Sequence, residues 1–167
     1  MRRGDREVTD LRNIEEIIKK CKTCHIAMVD NGLPYIVPMS FGYKFVNNRL
    51  NIYLHCAYEG RKVDILKTNP NVCFEMSLEG EPIHSSIPCN SGYYYESAIG
   101  TGNVMFVEDV SEKCMALTYI VKQQTDKEYV FTKQQSDSVC VFKVEVETLT
   151  GKRKPKEACN NFDQIKV

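Results

Sequence analysis

The chain has 167 residues, and its 22 Lys and Arg balance 22 Asp and Glu to a formal net charge of zero. That balance excludes a global basic field for recruiting nucleic acid and mildly favours self-association over repulsion. The length suits one domain that buries a core without staples. No apolar run is long enough to span a membrane, and the polar start Met-Arg-Arg-Gly-Asp-Arg-Glu has no signal-peptide core behind it, so a cytoplasmic chain is expected and its eight cysteines are read as thiols.

Thr9 or Asp10 is placed to cap a first helix, in which Leu11, Ile14, Ile17, Ile18 and Cys21 recur on one face and Glu15, Glu16, Lys19 and Lys20 face water. A meander of strands follows. His25 to Val29 runs into Asn31-Gly32, a strong hairpin signal. Leu33 to Ser40 is extended but contains Pro34 and Pro38, which cannot donate to a ladder, so an edge or a bulge is expected there. Phe41, Tyr43 and Phe45 alternate with smaller or polar residues, and Asn47-Asn48 turns the chain into a strand in which Leu50, Ile52 and Leu54 alternate with Asn51, Tyr53 and His55.

Directly after His55 the chain reads Cys-Ala-Tyr-Glu-Gly-Arg-Lys, and Val63, Ile65 and Leu66 then form the apolar side of a helix that Asn69-Pro70 stops. Arg61 and Lys62 thus fall in the first helical turn, where the helix dipole favours negative charge. Two readings fit. The pair is a solvated charge cluster, or it waits for an anion that would meet free N–H groups, the dipole and two cations together. His55 has the same two readings, as a structural histidine or as a group beside that anion site.

Val72, Phe74 and Met76 give a further strand, and residues 79 to 92 read as a long irregular loop. Tyr93 to Val107 is a strand run whose Gly100 and Gly102 point to a bulge or a close approach. Asp109 and Glu112 open a second long helix striped by Met115, Leu117, Ile120 and Val121. A polar stretch follows, then a last strand over Cys140 to Val146 and a basic turn from Thr150 to Lys156. The sum is six or seven antiparallel strands and three helices, which favours a β-barrel with flanking helices over a doubly wound sheet. One domain over residues 1–155 and a tail over 156–167 are expected.

Cys21-Lys-Thr-Cys24-His25 matches the covalent haem pattern, but without an export signal, and with Cys21 on the buried helix face, structural thiols fit better. No metal site is expected. There is no dinucleotide fingerprint after a strand, no phosphate loop and no nucleophile elbow.

Several stretches together resemble a known family. Val37-Pro-Met-Ser-Phe-Gly-Tyr43, Tyr53-Leu-His-Cys-Ala57, Glu59-Gly-Arg-Lys62 and Asn69-Pro-Asn-Val-Cys-Phe74 are similar in order and spacing to the pyridoxamine 5′-phosphate oxidase-like FMN-binding split barrels, most of all to the nitroimidazole-resistance branch. Met-Arg-Arg at the start, Glu96-Ser-Ala-Ile-Gly100 and Thr150-Gly-Lys-Arg153 add to the likeness. The resemblance implies a six-stranded antiparallel split barrel that forms a homodimer with FMN at the subunit interface. It implies that Arg61 and Lys62, opened by Glu59-Gly60, bind the FMN phosphate. Pro38, Met39, Ser40 and Phe41, with Leu54, His55 and Cys56, would line the ring, and the partner subunit would bring Ser97, Ile99, Gly100 and Thr101. Lys152 would approach the cofactor, and His55 would be the residue acting on substrate. The implied activity is reduction of a nitroaromatic or quinone-like small molecule with electrons from NAD(P)H. A flavin- or haem-binding protein without turnover is the alternative. The C-terminal Arg-x-His element of true pyridoxamine 5′-phosphate oxidases is missing, so vitamin B6 oxidation is not expected.

Overall fold

The computed structural model describes residues 2–154; the tail expected over 156–167 and Cys159 lie outside the described residues. Eight strands form one antiparallel sheet: β1 (Glu7–Val8), β2 (Cys24–Asp30), β3 (Leu33–Met39), β4 (Phe41–Val46), β5 (Arg49–Cys56), β6 (Asn71–Ile83), β7 (Gly92–Val107) and β8 (Cys140–Lys154). Four helices interrupt them: α1 (Leu11–Lys20), α2 (Arg61–Thr68), α3 (Val110–Thr125) and the short α4 (Lys133–Ser136). The spatial order is β3-β2-β6-β7-β8-β5-β4, with β1 added along β8. The strands therefore number eight, not six.

Ser40 is the only residue between β3 and β4, yet these strands lie at opposite ends of that order. The sheet must curl until its two ends meet at Ser40, and among the described residues no pairing closes the seam between them. This is a split barrel. The prolines fit the arrangement, because β3 pairs only with β2 and its outer edge needs no donors. The β2–β3 and β4–β5 hairpins turn on Asn31-Gly32 (φ 49° and 82°) and Asn47-Asn48 (φ 50° and 62°), positive at both central residues as two-residue hairpins require.

The barrel interior holds Ile26, Phe41, Ile52, Leu54, Phe74, Met76, Phe142 and Val144, all fully buried. Helix α1 packs on β6, β7 and β8 and adds Ile14, Ile17 and Ile18 to this core. Leu11 does not join this buried core and remains 39 % exposed. Asp10 caps α1, its Oδ1 accepting from the N–H of Arg12 at 2.8 Å and of Asn13 at 3.3 Å. At the other end Gln123 of α3, itself buried, donates its side-chain amide to the carbonyls of Ile18 (3.1 Å), Lys19 (3.1 Å) and Cys21 (2.6 Å). One side chain thus satisfies the last turn of a distant helix.

Helix α3 covers the outside of β4, β5 and β8, where Ala116, Leu117 and Ile120 bury Tyr53, Val107 and Val141. Gly42 makes this close packing possible, because a Cβ there would collide with the backbone of Tyr119 and Ile120. Gly102 sits where β8 bulges, Thr101 facing Thr148 while Gly102 faces Val146. A side chain on Gly102 would run into the carbonyl of Glu145.

Three boundaries differ from expectation. Residues 79–83 continue β6 rather than opening a loop, and Pro82 pairs with Tyr93 across a bulge. Thr150–Lys154 is not a turn but the end of β8, paired with β7 on one side and with Glu7–Val8 on the other. The bulge at Glu147 breaks the alternation that would have shown this. The polar stretch contains α4, opened by a reciprocal cap between Thr132 and Gln135.

Candidate functional site

The seam of the barrel gathers much of the expected site. The β4–β5 register pairs Phe41 with Leu54, so one step further brings Ser40 level with His55. His55 ends the regular part of β5 and Gly60 begins α2 four residues after Cys56. Gly60 takes φ 131° and ψ 161°, a conformation that only glycine adopts freely, and it offers no side-chain cap. Its carbonyl accepts from Val63 and Asp64, leaving the N–H groups of Arg61 and Lys62 as the open donors of the helix.

The two cations behave differently. Arg61 donates Nε to Asp30 at 2.9 Å and lies over the Tyr35 ring, 4.3 Å from its centre, so it clamps the β2–β3 hairpin to α2. Its terminal nitrogens have no partner among the described residues. Lys62 has no carboxylate partner among the described residues, and its charge acts instead on His55. Burial, and then Lys62, hold the His55 pKa below its ordinary value, so the ring is neutral at pH 7. Its Nδ1 is buried without a hydrogen-bond partner. A buried imidazole nitrogen left unpaired costs free energy unless a ligand completes it.

Of the other expected site residues, Phe41 and Leu54 are wholly buried in the barrel and Met39 nearly so, which leaves their backbone, not their side chains, to face a ligand. Pro38, Ser40 and Glu59 are exposed, and Cys56 is half-buried opposite Cys140. Burial, reinforced by Cys140, raises the Cys56 thiol to about 11, so it is not a ready nucleophile. Cys21 and Cys24 are buried and both are raised by desolvation, Cys21 to about 11.

Ser97, Ile99, Gly100, Thr101 and Lys152 do not join this cluster within one chain. His55 pairs with Val141, and Val141 with Val107, whereas Ile99 lies eight residues back along β7, roughly 26 Å at strand spacing. Gly100 is buried against the Phe74 ring, while Ile99 and Thr101 face outward in rows that run across the sheet: Ile36, Ala27, Cys73, Thr101 and Thr148 in one, and Pro38, His25, Glu75, Ile99 and Thr150 in the next. On this face Ile36 is 60 % and Ile99 44 % exposed among the described residues. The same row does bring Pro38 and Ile99, two expected site residues, onto one surface.

Comparison with other proteins identifies the family. The family model described as pyridoxamine 5′-phosphate oxidase matches residues 10–153. The chain belongs to the pyridoxamine 5′-phosphate oxidase family. Among solved structures, a Bacteroides thetaiotaomicron protein named for 5-nitroimidazole antibiotic resistance is 35 % identical over 88 % of this chain and 86 % of its own, with a TM-score of 0.76. Two more distant neighbours share the fold of this family member. They are the flavocytochrome Anf3 of Azotobacter vinelandii (17 % identity, 93 % and 72 % covered, TM-score 0.75) and an FAD- and haem-binding protein of Mycobacterium smegmatis (16 %, 92 % and 77 %, TM-score 0.72). No curated protein is significantly similar to this family member. No helix among its described residues is long and apolar enough to cross a membrane.

Proposed function

We propose that this chain is an FMN-dependent oxidoreductase that works as a homodimer and reduces a nitroaromatic or quinone-like small molecule with electrons from NAD(P)H. The observation that carries the reading is the unpartnered, buried Nδ1 of His55 beside an acid-free Lys62 and an open helix N-terminus, all at the barrel seam. That donor set fits an anionic, ring-bearing ligand. The 35 % identity to a protein named for nitroimidazole resistance supports the choice of acceptor.

When bound, FMN supplies two-electron transfer between donor and acceptor. The chain supplies the rest. Lys62 and the N–H groups of Arg61 and Lys62 hold the phosphate, and Arg61, fixed by Asp30 and Tyr35, sets the height of the hairpin beside it. His55, neutral at pH 7, carries a proton on one ring nitrogen and accepts at the other, so it can orient the acceptor or hand it a proton. The exposed rows around Ile36 and Ile99 form the subunit contact, which would carry Ser97 to Thr101 of one protomer toward the seam of its partner.

The absorption spectrum of the purified protein is the first test. Flavin bands are expected, bleached anaerobically by NADH or NADPH and restored by a 5-nitroimidazole. A Soret band would replace FMN with haem, and flavin bands indifferent to both donors would leave a binding protein. Lys62→Ala is expected to strip the cofactor during gel filtration; unchanged flavin content in that variant would sink the phosphate assignment.

A further inference from the structure

We propose that a cleft at the Lys154 end of β8 binds the diphosphate of a nucleotide, far along the strand from the seam of the same protomer. Cys140, opposite Cys56, starts β8 at the seam; Lys154, opposite Tyr95, ends it, so the two places lie at opposite ends of one strand. The cleft has a volume of about 710 Å³, of a size for a small organic ligand. Its walls are the N-terminal segment with Arg3 and Arg6, the approach to β7 with Ser91, Tyr93 and Tyr95, and Lys154. Lys152 shares the face of Lys154 and lies 5.5 Å from the centre of the Tyr95 ring.

Charge is concentrated here in a chain that is neutral overall. Glu79, paired with Tyr95 across the sheet, sets one carboxylate near Arg3, Arg6, Lys152 and Lys154, and the N-terminal segment holds two more. One is Asp5, which pairs with Arg3 at 2.6 Å and stands 3.8 Å from Arg6. The other is Glu7, which faces Lys152 across the β1–β8 pair. Lys152 and Lys154 have no carboxylate partner among the described residues. Arg153, one position between them, points the other way and is engaged by Glu96. The field at the cleft can be read from Tyr95. Arg6 donates to its hydroxyl at 3.4 Å. Burial would raise this phenol, yet hydrogen bonds from Arg6 and Lys152 and their charges outweigh it and lower the pKa. An anion is what such a surround lacks.

The rings decide which anion. Tyr93 is 60 % exposed and Tyr95 lies beside the cations, so a flat base has faces to stack on while phosphates meet the lysines and arginines. Cations delivered by two separate segments suit two linked phosphates better than a point charge. An ADP moiety is contained in both NADH and NADPH, so this site deepens the proposed function by giving the electron donor a place to dock, and its biological meaning rests on that reading.

The test is calorimetric titration of the FMN-saturated protein with ADP and, in a second arm, with inorganic pyrophosphate. One saturable ADP event is expected. It should weaken about tenfold or more in Arg6→Ala and in Lys154→Ala, as loss of one charge-assisted contact implies, and stay unchanged in Lys67→Ala, whose exposed cation lies on α2. Tyr93→Ala should erase the preference for ADP over pyrophosphate. No ADP binding, or binding indifferent to Arg6 and Lys154, overturns the site; equal affinity for pyrophosphate and ADP overturns the nucleotide. Flavin absorbance on the same samples keeps the two readings apart, because a chain that binds ADP but retains no FMN refutes the flavin reading alone.

Discussion

The two outward-facing surfaces of the sheet make an instructive pair. Over β4, β5 and β8 the outward residues Tyr53, Val107 and Val141 lie under α3. Over β3, β2, β6 and β7 the outward residues Ile36, Cys73, Ile99 and Thr101 are exposed and Ala27 partly so among the described residues. Both surfaces are partly apolar, but they solve burial differently. The first gives up alternation, since Val139-Cys-Val-Phe142 is apolar at every position and both faces of that strand are covered. The second keeps the alternation and fills it with small or middling residues such as alanine, cysteine and threonine. An internal partner allows bulky outward residues; a surface that meets water in the single chain mixes its two isoleucines with moderate ones.

The sharpest way to break the covered side is Gly42→Val. The new side chain would meet the α3 backbone itself, which cannot rotate away, and a loss of about 3 kcal/mol or more is expected in urea unfolding. Gln123→Leu is the next largest effect, about 1–3 kcal/mol, because the last turn of α1 loses the side-chain donor that serves its carbonyls, the Cys21 carbonyl while buried. On the open side the expectation inverts. Ile36→Glu with Ile99→Lys should move sedimentation from dimer to monomer and change the monomer's own stability by only about 0.5 kcal/mol; a dimer that persists would move the subunit contact elsewhere.

The smallest effect is a pH dependence. The folded pKa of His55 lies below its unfolded value, so the unfolded chain binds more protons as pH falls. His55 therefore costs the fold nothing above the unfolded pKa near 6.5, and its share of stability is lost as pH drops from there through the folded pKa. His55→Gln should flatten that part of the stability curve between pH 7.5 and 5.5. Identical slopes in both proteins would mean that the ring is solvated. Added FMN should enlarge the difference if His55 contacts it.

Much of this architecture can be read from local signals because local physics decides it. Asp10 before an apolar stripe, Asn31-Gly32 between two strands, and Gly60 before a charged helical turn each have one cheap solution. The rest is set by distant partners. Leu11 belongs to the apolar stripe of α1 but finds no surface to cover. Thr150 to Lys154 look like a basic turn until β1 and β7 are seen to take them as a strand. Arg61 and Lys62 are adjacent and alike in sequence; only the β2–β3 hairpin, thirty residues away, separates a clamp from a free cation. Tyr95 has no motif around it, and Arg6 reaches it solely because a two-residue strand lies along β8.

Ser40 has a kinetic consequence. The hairpins β2–β3 and β4–β5 need only neighbouring sequence and can form as soon as residue 56 has left the ribosome, but they stand at the two rims of the sheet. The strands that bridge those rims come later, and the β5–β8 junction, even at its nearest pair of Cys56 with Cys140, closes a separation of 84 residues. The entropy of closing that span is repaid only when nearly the whole chain is present. β6 can cover β2 early, but β5 keeps an unpaired edge until β8 emerges, which makes synthesis of β8 the step that removes this exposed edge from the nascent chain.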